Sequence, residues 1–176
     1  LDELAKNRCH FIAENQQYNN PKSKLDGAYL IYDNEEKHIY YNREYDFNGG
    51  RERVGMGVLI AKYLQNHDDE VLLNSLKKYI KYVQKNLVCI ETGEVFNDYN
   101  YNNSFPRLYN YPWFSLFYIE LYKLFGDKNM LEIAYKIMLF FYNQGGEHFY
   151  AIEVPIVKLV ECLRESDMTD MADNMI

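Results

Sequence analysis

Cysteine is scarce and scattered in this 176-residue sequence: Cys9, Cys89 and Cys162 are odd in number, far apart, and in neither Cys-x-x-Cys nor Cys/His ligand spacing. They read as buried thiols, and no structural zinc is expected. Long apolar runs are missing too, because charged or polar groups interrupt every helical pattern well before the ~20 apolar residues that cross a bilayer. The chain therefore reads as soluble, with no membrane partner. Basic charge is in deficit, with 19 Lys and Arg against 26 Asp and Glu, a formal net charge of -7 and a pI near 5.1. That balance argues against nucleic acid, whose binding draws on Lys and Arg set against phosphates. Nucleophile motifs, phosphate-binding loops and zinc spacings are absent, so peptidase, kinase and dinucleotide-enzyme readings rank low and no cofactor is expected. The opening Leu1-Asp2-Glu3-Leu4-Ala5-Lys6 has neither an initiating Met nor the basic-then-apolar order of a signal peptide, which reads as a chain cut from something larger.

What is present is a repeated helical layout. Leu121 to Phe125 closes an apolar helical pattern, Gly126-Asp127 follows, and Lys128 onward starts another. Glycine takes the left-handed conformation that ends a helix, and aspartate accepts the free N–H groups of the next. The same layout runs from Val54 to Asn66, through Asp68 or Asp69, into Val71 to Leu87. A third hairpin starts with Val154 to Arg164 and turns at Ser166-Asp167, leaving Met168, Met171, Ala172 and Met175 on a short outer helix. An amphipathic helix is expected over residues 2–16, carried by Leu4, Ala5, Arg8, Phe11 and Ile12. Two β-hairpins are expected in the loops. One pairs Ala28 to Tyr32 with His38 to Tyr41, and the other folds Val88 to Ile90 onto Glu94 to Phe96 around Thr92-Gly93.

The helices fall into two kinds. Trp113 to Phe125 is apolar nearly all round, and Ile152 to Leu163 is read the same way, so both need covering on several sides. Val71 to Leu87 is one-faced, with Lys77, Lys78, Lys81 and Lys85 opposite Leu72, Leu76, Ile80 and Val83, the pattern of a solvated outer face. Alternating covered and half-covered helices suit an inner ring wrapped by an outer one, with a linear solenoid as the architectural rival. The fold class is all-α, in one domain spanning residues 1–176, with 48% hydrophobic residues to fill its core.

Helical hairpins with Leu-Tyr-x-Leu-Phe-Gly-Asp turns, a short Glu91-Thr92-Gly93 hairpin between them and aromatic, Asn-rich loops resemble the six-hairpin, or (α/α) toroid, carbohydrate-active enzymes over residues 50 to 165. These include glycoside hydrolases and toroidal polysaccharide lyases. The resemblance implies that this chain is an incomplete part of a toroid, completed by the rest of a longer chain or by a homo-oligomer. It also implies an oligosaccharide or polysaccharide partner bound at the loops preceding inner helices.

Three such loops carry suitable groups. Around Gly49-Gly50, Arg51 and Arg53 can grip a carboxylated sugar and Glu52 can act as acid or base, although an Arg-Glu-Arg ion network at a helix start is the plainer reading. The loop from Phe96 to Trp113 alternates Tyr and Asn, combining ring faces for sugar C–H groups with amides for hydroxyls, or simply filling an irregular loop. Within it Asp98 is the best carboxylate, Trp113 the best stacking platform, and Arg107 and Tyr111 further contacts. The third, Gln144 to Glu153, offers His148, Tyr150 and Glu153. Glu153 is singled out as a carboxylate in an apolar helix, which must be paired, protonated or functional. Asp98 and Glu153, with Glu52 in reserve, are the expected pair for glycoside hydrolysis, retaining at ~5 Å separation and inverting at ~6.5 to 9.5 Å. The alternatives are a lyase, in which Arg or Asn holds a uronate while Tyr or His takes the α-proton, and a non-catalytic glycan-binding or structural helical domain.

Overall fold

The computed structural model describes residues 1–40, 50–99, 101–103, 107–149 and 153–176. Among these the chain is all-α, with seven α-helices and one two-stranded sheet. It divides into two compact units, residues 1–88 with 96–106, and residues 89–95 with 107–176.

In the first unit, α1 (Asp2–Phe11), α2 (Val54–Leu64) and α3 (Glu70–Asn86) pack on one another. The α2–α3 hairpin turns where expected, and Asp69 is the cap, its side chain accepting from the Leu72 N–H at 3.0 Å. The α3 helix buries Leu72, Leu76, Tyr79, Ile80 and Val83 along one face and leaves Lys77, Lys78, Lys81 and Lys85 in solvent. Each fully buried apolar side chain of this kind contributes roughly 1.5–3 kcal/mol. Tyr29 stacks on Tyr79, with ring centroids 4.2 Å apart, and its hydroxyl meets Ser75 Oγ at 3.0 Å.

The first helix runs over residues 2–16 as expected, with a change of winding at its end: it is α to Phe11, after which Ile12–Gln16 widens into a π-helical turn. One expectation for this unit is corrected. Tyr41 lies outside the described residues; among them, the 28–32 segment pairs with 38–40 only at its end, as β1 (Tyr32–Asp33) against β2 (His38–Ile39), antiparallel with Tyr32 opposite Ile39 and with Tyr40 N–H donating to Ile31 O at 2.9 Å. The reason is competition for backbone groups. Leu30 N–H donates to Gln16 O and Tyr18 N–H to Ala28 O, so residues 28–30 are already taken by the chain leaving the first helix.

The second unit is built on α4 (Asn110–Phe125) and α5 (Lys128–Asn143), packed side by side. Gly126 has φ 68°, the left-handed conformation that ends α4, and the Asp127 carboxylate accepts from Asn129 N–H at 3.0 Å to start α5. The α4 helix begins at Asn110, ahead of the expected Trp113, because Pro112 sits in the first turn, where a missing N–H costs no helical hydrogen bond. It is buried over most of its circumference, as its composition implied. Here α6 (Ile156–Glu165) and α7 (Thr169–Asp173) form the third hairpin, turning at Ser166 and at Asp167 with φ 60°. The expectation that α6 is covered all round fails. It buries Leu159, Val160, Cys162 and Leu163 while Val157, Glu161 and Arg164 face out, so it is one-faced. The Glu91–Gly93 turn closes through Cys89 N–H to Glu94 O at 2.9 Å and Gly93 N–H to Cys89 O at 2.8 Å.

Candidate functional site

In the first unit the chain enters α2 through a 3-10 turn, Arg51–Arg53, whose Arg51 N–H donates to Asn97 O at 3.1 Å. Asn97 N–H in turn donates to Asn102 O at 2.7 Å, and Asp98 and Asn102 form an antiparallel bridge. The first two expected loops thus meet: Arg51 is joined to the turn that carries Asp98. Both side chains are buried, Arg51 at 1% and Asp98 at 6% exposure. Burial first, and then the charges of Asp98 and Tyr99, hold the Tyr82 hydroxyl above its ordinary range, so it stays a neutral donor or acceptor near that carboxylate. Arg53 Nη2 lies 3.7 Å from Glu52 Oε2, one arm of the expected Arg-Glu-Arg network.

In the second unit the entry to α4 brings three groups together. Arg107 Nη1 donates to the Tyr109 hydroxyl at 2.9 Å, and the Tyr109 ring meets Trp113 edge-on with centroids 5.5 Å apart. A guanidinium, a phenol and an indole thus share one helical entry, bringing a charge, a hydroxyl and a flat ring face together. Tyr111, one residue into the helix, points the other way. It is 2% exposed and stacks on Phe140 with an interplanar angle of 3°, so it serves the core of this unit.

The third loop departs furthest from expectation. Glu153 lies outside the helix, since α6 starts at Ile156, and it is exposed with φ 54°. The argument that it is a carboxylate stranded in an apolar helix therefore loses its premise. His148 is also exposed, and its Nε2 stands 3.0 Å from Glu147 Oε1. Tyr150 lies outside the described residues. Asp98 belongs to the first unit and Glu153 to the second.

Tyr109 is the residue that sequence reasoning passed over. Its signal was its place two residues after Arg107 in a turn ahead of a helix, where both side chains rise from the same bend. Among the described residues, no group of three or more His, Cys, Asp or Glu is arranged to hold a metal ion, and no helix is long and apolar enough to cross a membrane.

The fold defines a class before it defines a chemistry: an all-α arrangement of helical hairpins of the kind found in carbohydrate-active proteins. A solved polysaccharide lyase matches it with a TM-score of 0.91 and 33% sequence identity, over 99% of this chain and 27% of its own. The chain therefore spans about a quarter of that enzyme's length. No protein-family model matches the chain, and no curated protein does.

Proposed function

We propose that this chain is a helical section of a polysaccharide lyase that cleaves uronic-acid-containing polysaccharide by β-elimination. The observation that carries the reading is the likeness to a polysaccharide lyase at 33% identity along 99% of the chain. In this reading the hairpins form part of an (α/α) toroid, and residues 1–176 are one piece of a larger domain. The entry to α4 supplies the chemistry. Arg107 grips the uronate carboxylate and stabilises the negative charge that develops on it when the neighbouring carbon loses its proton. Tyr109, whose oxygen accepts a hydrogen bond from Arg107 at 2.9 Å, stands beside the group that holds the carboxylate and takes that proton as the general base.

The electron pair left on carbon forms the new double bond, the glycosidic C–O bond on the adjacent carbon breaks, and the leaving oxygen collects the proton. Trp113 offers a ring face to the neighbouring sugar. Arg53, Glu52, Asn102, His148, Tyr150 and Glu153 are further candidates for polar contacts to the polymer, while the buried Arg51, Asn97 and Asp98 would hold the turn beneath such contacts. The rival is hydrolysis by carboxylate acid and base, for which Asp98 and Glu52 are the candidates in the first unit and Glu153 in the second. Ultraviolet absorbance of the oligosaccharide products tests the choice, because elimination conjugates a double bond with the carboxylate and hydrolysis does not. Absorbing products from the intact protein are expected; products without absorbance would overturn the reading.

A further inference from the structure

The loop between the first helix and β1 is pinned onto α3. Tyr18 N–H donates to Ala28 O at 2.9 Å and Gly27 N–H to Tyr18 O at 2.8 Å, closing its neck. The buried amide of Gln17 donates to Gly27 O and to Ser75 O, tying that neck to the helix. Gly27 has φ 88°, and a Cβ there would stand 2.7 Å from the carbonyl oxygen of Lys78, so glycine is what lets the loop close this tightly.

Between this loop and the outer face of α3 lies a groove of about 360 Å³, within the ~300–1,000 Å³ range of small-molecule sites. Its walls carry Lys24, Lys78, Lys81 and Lys85, and Asp26 is the one carboxylate among its lining residues. Lys78, Lys81 and Lys85 recur at helical spacing, and Lys78 Nζ is held by Asn19 Oδ1 at 2.9 Å. Among the described residues none of the four lysines sits in an ion pair.

A row of lysines on a solvated helix face needs no explanation, and Lys77 is such a residue. Here a fixed loop folds over three of them and adds a fourth, on a chain whose formal net charge is -7. Four ammonium groups converging on one concave site focus a positive field and attract anions into it. Lysine fits this role as a point charge on a flexible stem, tolerant of carboxylate or sulfate at varied spacing. The amides of Asn19 and Asn86 and the hydroxyl of Ser23 add partners for sugar hydroxyls.

We propose that the groove between the 19–27 loop and α3 binds an acidic oligosaccharide, holding its carboxylate or sulfate groups through Lys24, Lys78, Lys81 and Lys85. The choice of an acidic glycan over other anions rests on the proposed function, but binding is read without turnover. Calorimetric titration of the intact protein with oligogalacturonate, a heparin oligosaccharide, neutral dextran and inorganic phosphate, at matched ionic strength, makes the test. The two acidic glycans are expected to bind, more weakly as salt rises, and dextran and phosphate are not. The double variant Lys81→Glu/Lys85→Glu is expected to weaken glycan binding about tenfold or more, while Lys77→Glu, on the same helix outside the groove, leaves it unchanged. Both changes lie on an exposed face, and an unaltered thermal melt checks their folding. Equal losses in the two variants, undiminished binding in the double variant, or equal binding of phosphate would overturn the proposal. Absorbing products with no groove binding would sink the groove alone, and groove binding with only non-absorbing products would sink the elimination alone.

Discussion

The imidazole Nε2 of His10 lies 2.8 Å from Oδ2 of Asp69, and its Nδ1 lies 3.1 Å from Glu14 Oε1. One side chain of the first helix thus ties α1 to the residue that starts α3. Asp69 serves two partners, accepting the Leu72 N–H with one oxygen and the imidazole with the other. Loss of the contact would loosen the helical hairpin and its neighbour together.

This arrangement makes stability depend on pH. The hydrogen bond to Glu14 raises His10 above its ordinary 6.5; burial opposes that, and Asp69 reinforces it. A group with a raised folded value contributes its full stabilisation below pH 6.5 and loses it as pH climbs through the folded value. For Asp69, burial pushes upward but the Leu72 N–H and His10 outweigh it and lower the carboxyl below 3.8, so its contribution holds above that pH and fades only in stronger acid. The thermal midpoint should therefore fall as pH rises from 6 to above 7, by about one or two degrees for a partly exposed contact of this kind. In His10→Asn that slope should flatten.

The helix starts give a stability test of a different kind. Asp127→Ala removes the acceptor for the Asn129 N–H and should cost ~0.5–2 kcal/mol in urea unfolding. Asp69→Ala should cost more, because it loses the cap and the His10 contact at once. Equal effects would mean that the imidazole contact contributes nothing.

Thiol reactivity should separate the cysteines. Burial pushes the Cys9 thiol up to about 11 and raises Cys162 as well, and both are buried, whereas Cys89 is half-buried beside Glu91. Iodoacetamide near pH 8 should therefore add one label quickly, at Cys89, and the other two only on unfolding. Peptide mass mapping reads the order directly.

Catalysis should respond to the entry of α4 in a graded way. Tyr109→Phe keeps the ring against Trp113 and removes only the hydroxyl, so kcat should fall ~10²–10⁴-fold with KM nearly unchanged. Trp113→Ala should mainly raise KM. Arg107→Lys keeps a charge but loses the bidentate fork, and should lower kcat/KM although the fold is retained. Wild-type kcat in Tyr109→Phe would remove this residue from the mechanism.

The parts of the fold governed by local chemistry were legible in the sequence. Gly126-Asp127 and Asp69 end and start helices through their own backbone and carboxylate, and the lysine face of α3 follows from helical spacing alone. Elements whose pairing is decided by distant segments were not legible. Nothing in Ala28 to Tyr32 announces that Gln16 and Tyr18 take its hydrogen bonds, and nothing in Ile152 to Leu163 announces that the helix waits until Ile156. The candidate site divided along the same line. Arg51 and the Asp98 turn do meet, through a backbone bond that composition hides, and Tyr111 went to the core because the first turn of α4, Asn110 to Pro112, is buried throughout. Tyr109 was missed because its value lies in its partner, Arg107, and not in its residue type.

The central claim is that a bond to the polymer is broken by elimination, without the addition of water. Mass spectrometry of both fragments from a defined uronate-containing oligosaccharide, treated with the intact protein, measures this directly. The account predicts fragment masses that sum to the mass of the substrate. A sum larger by one water would contradict it and return the carboxylates to the centre of the chemistry.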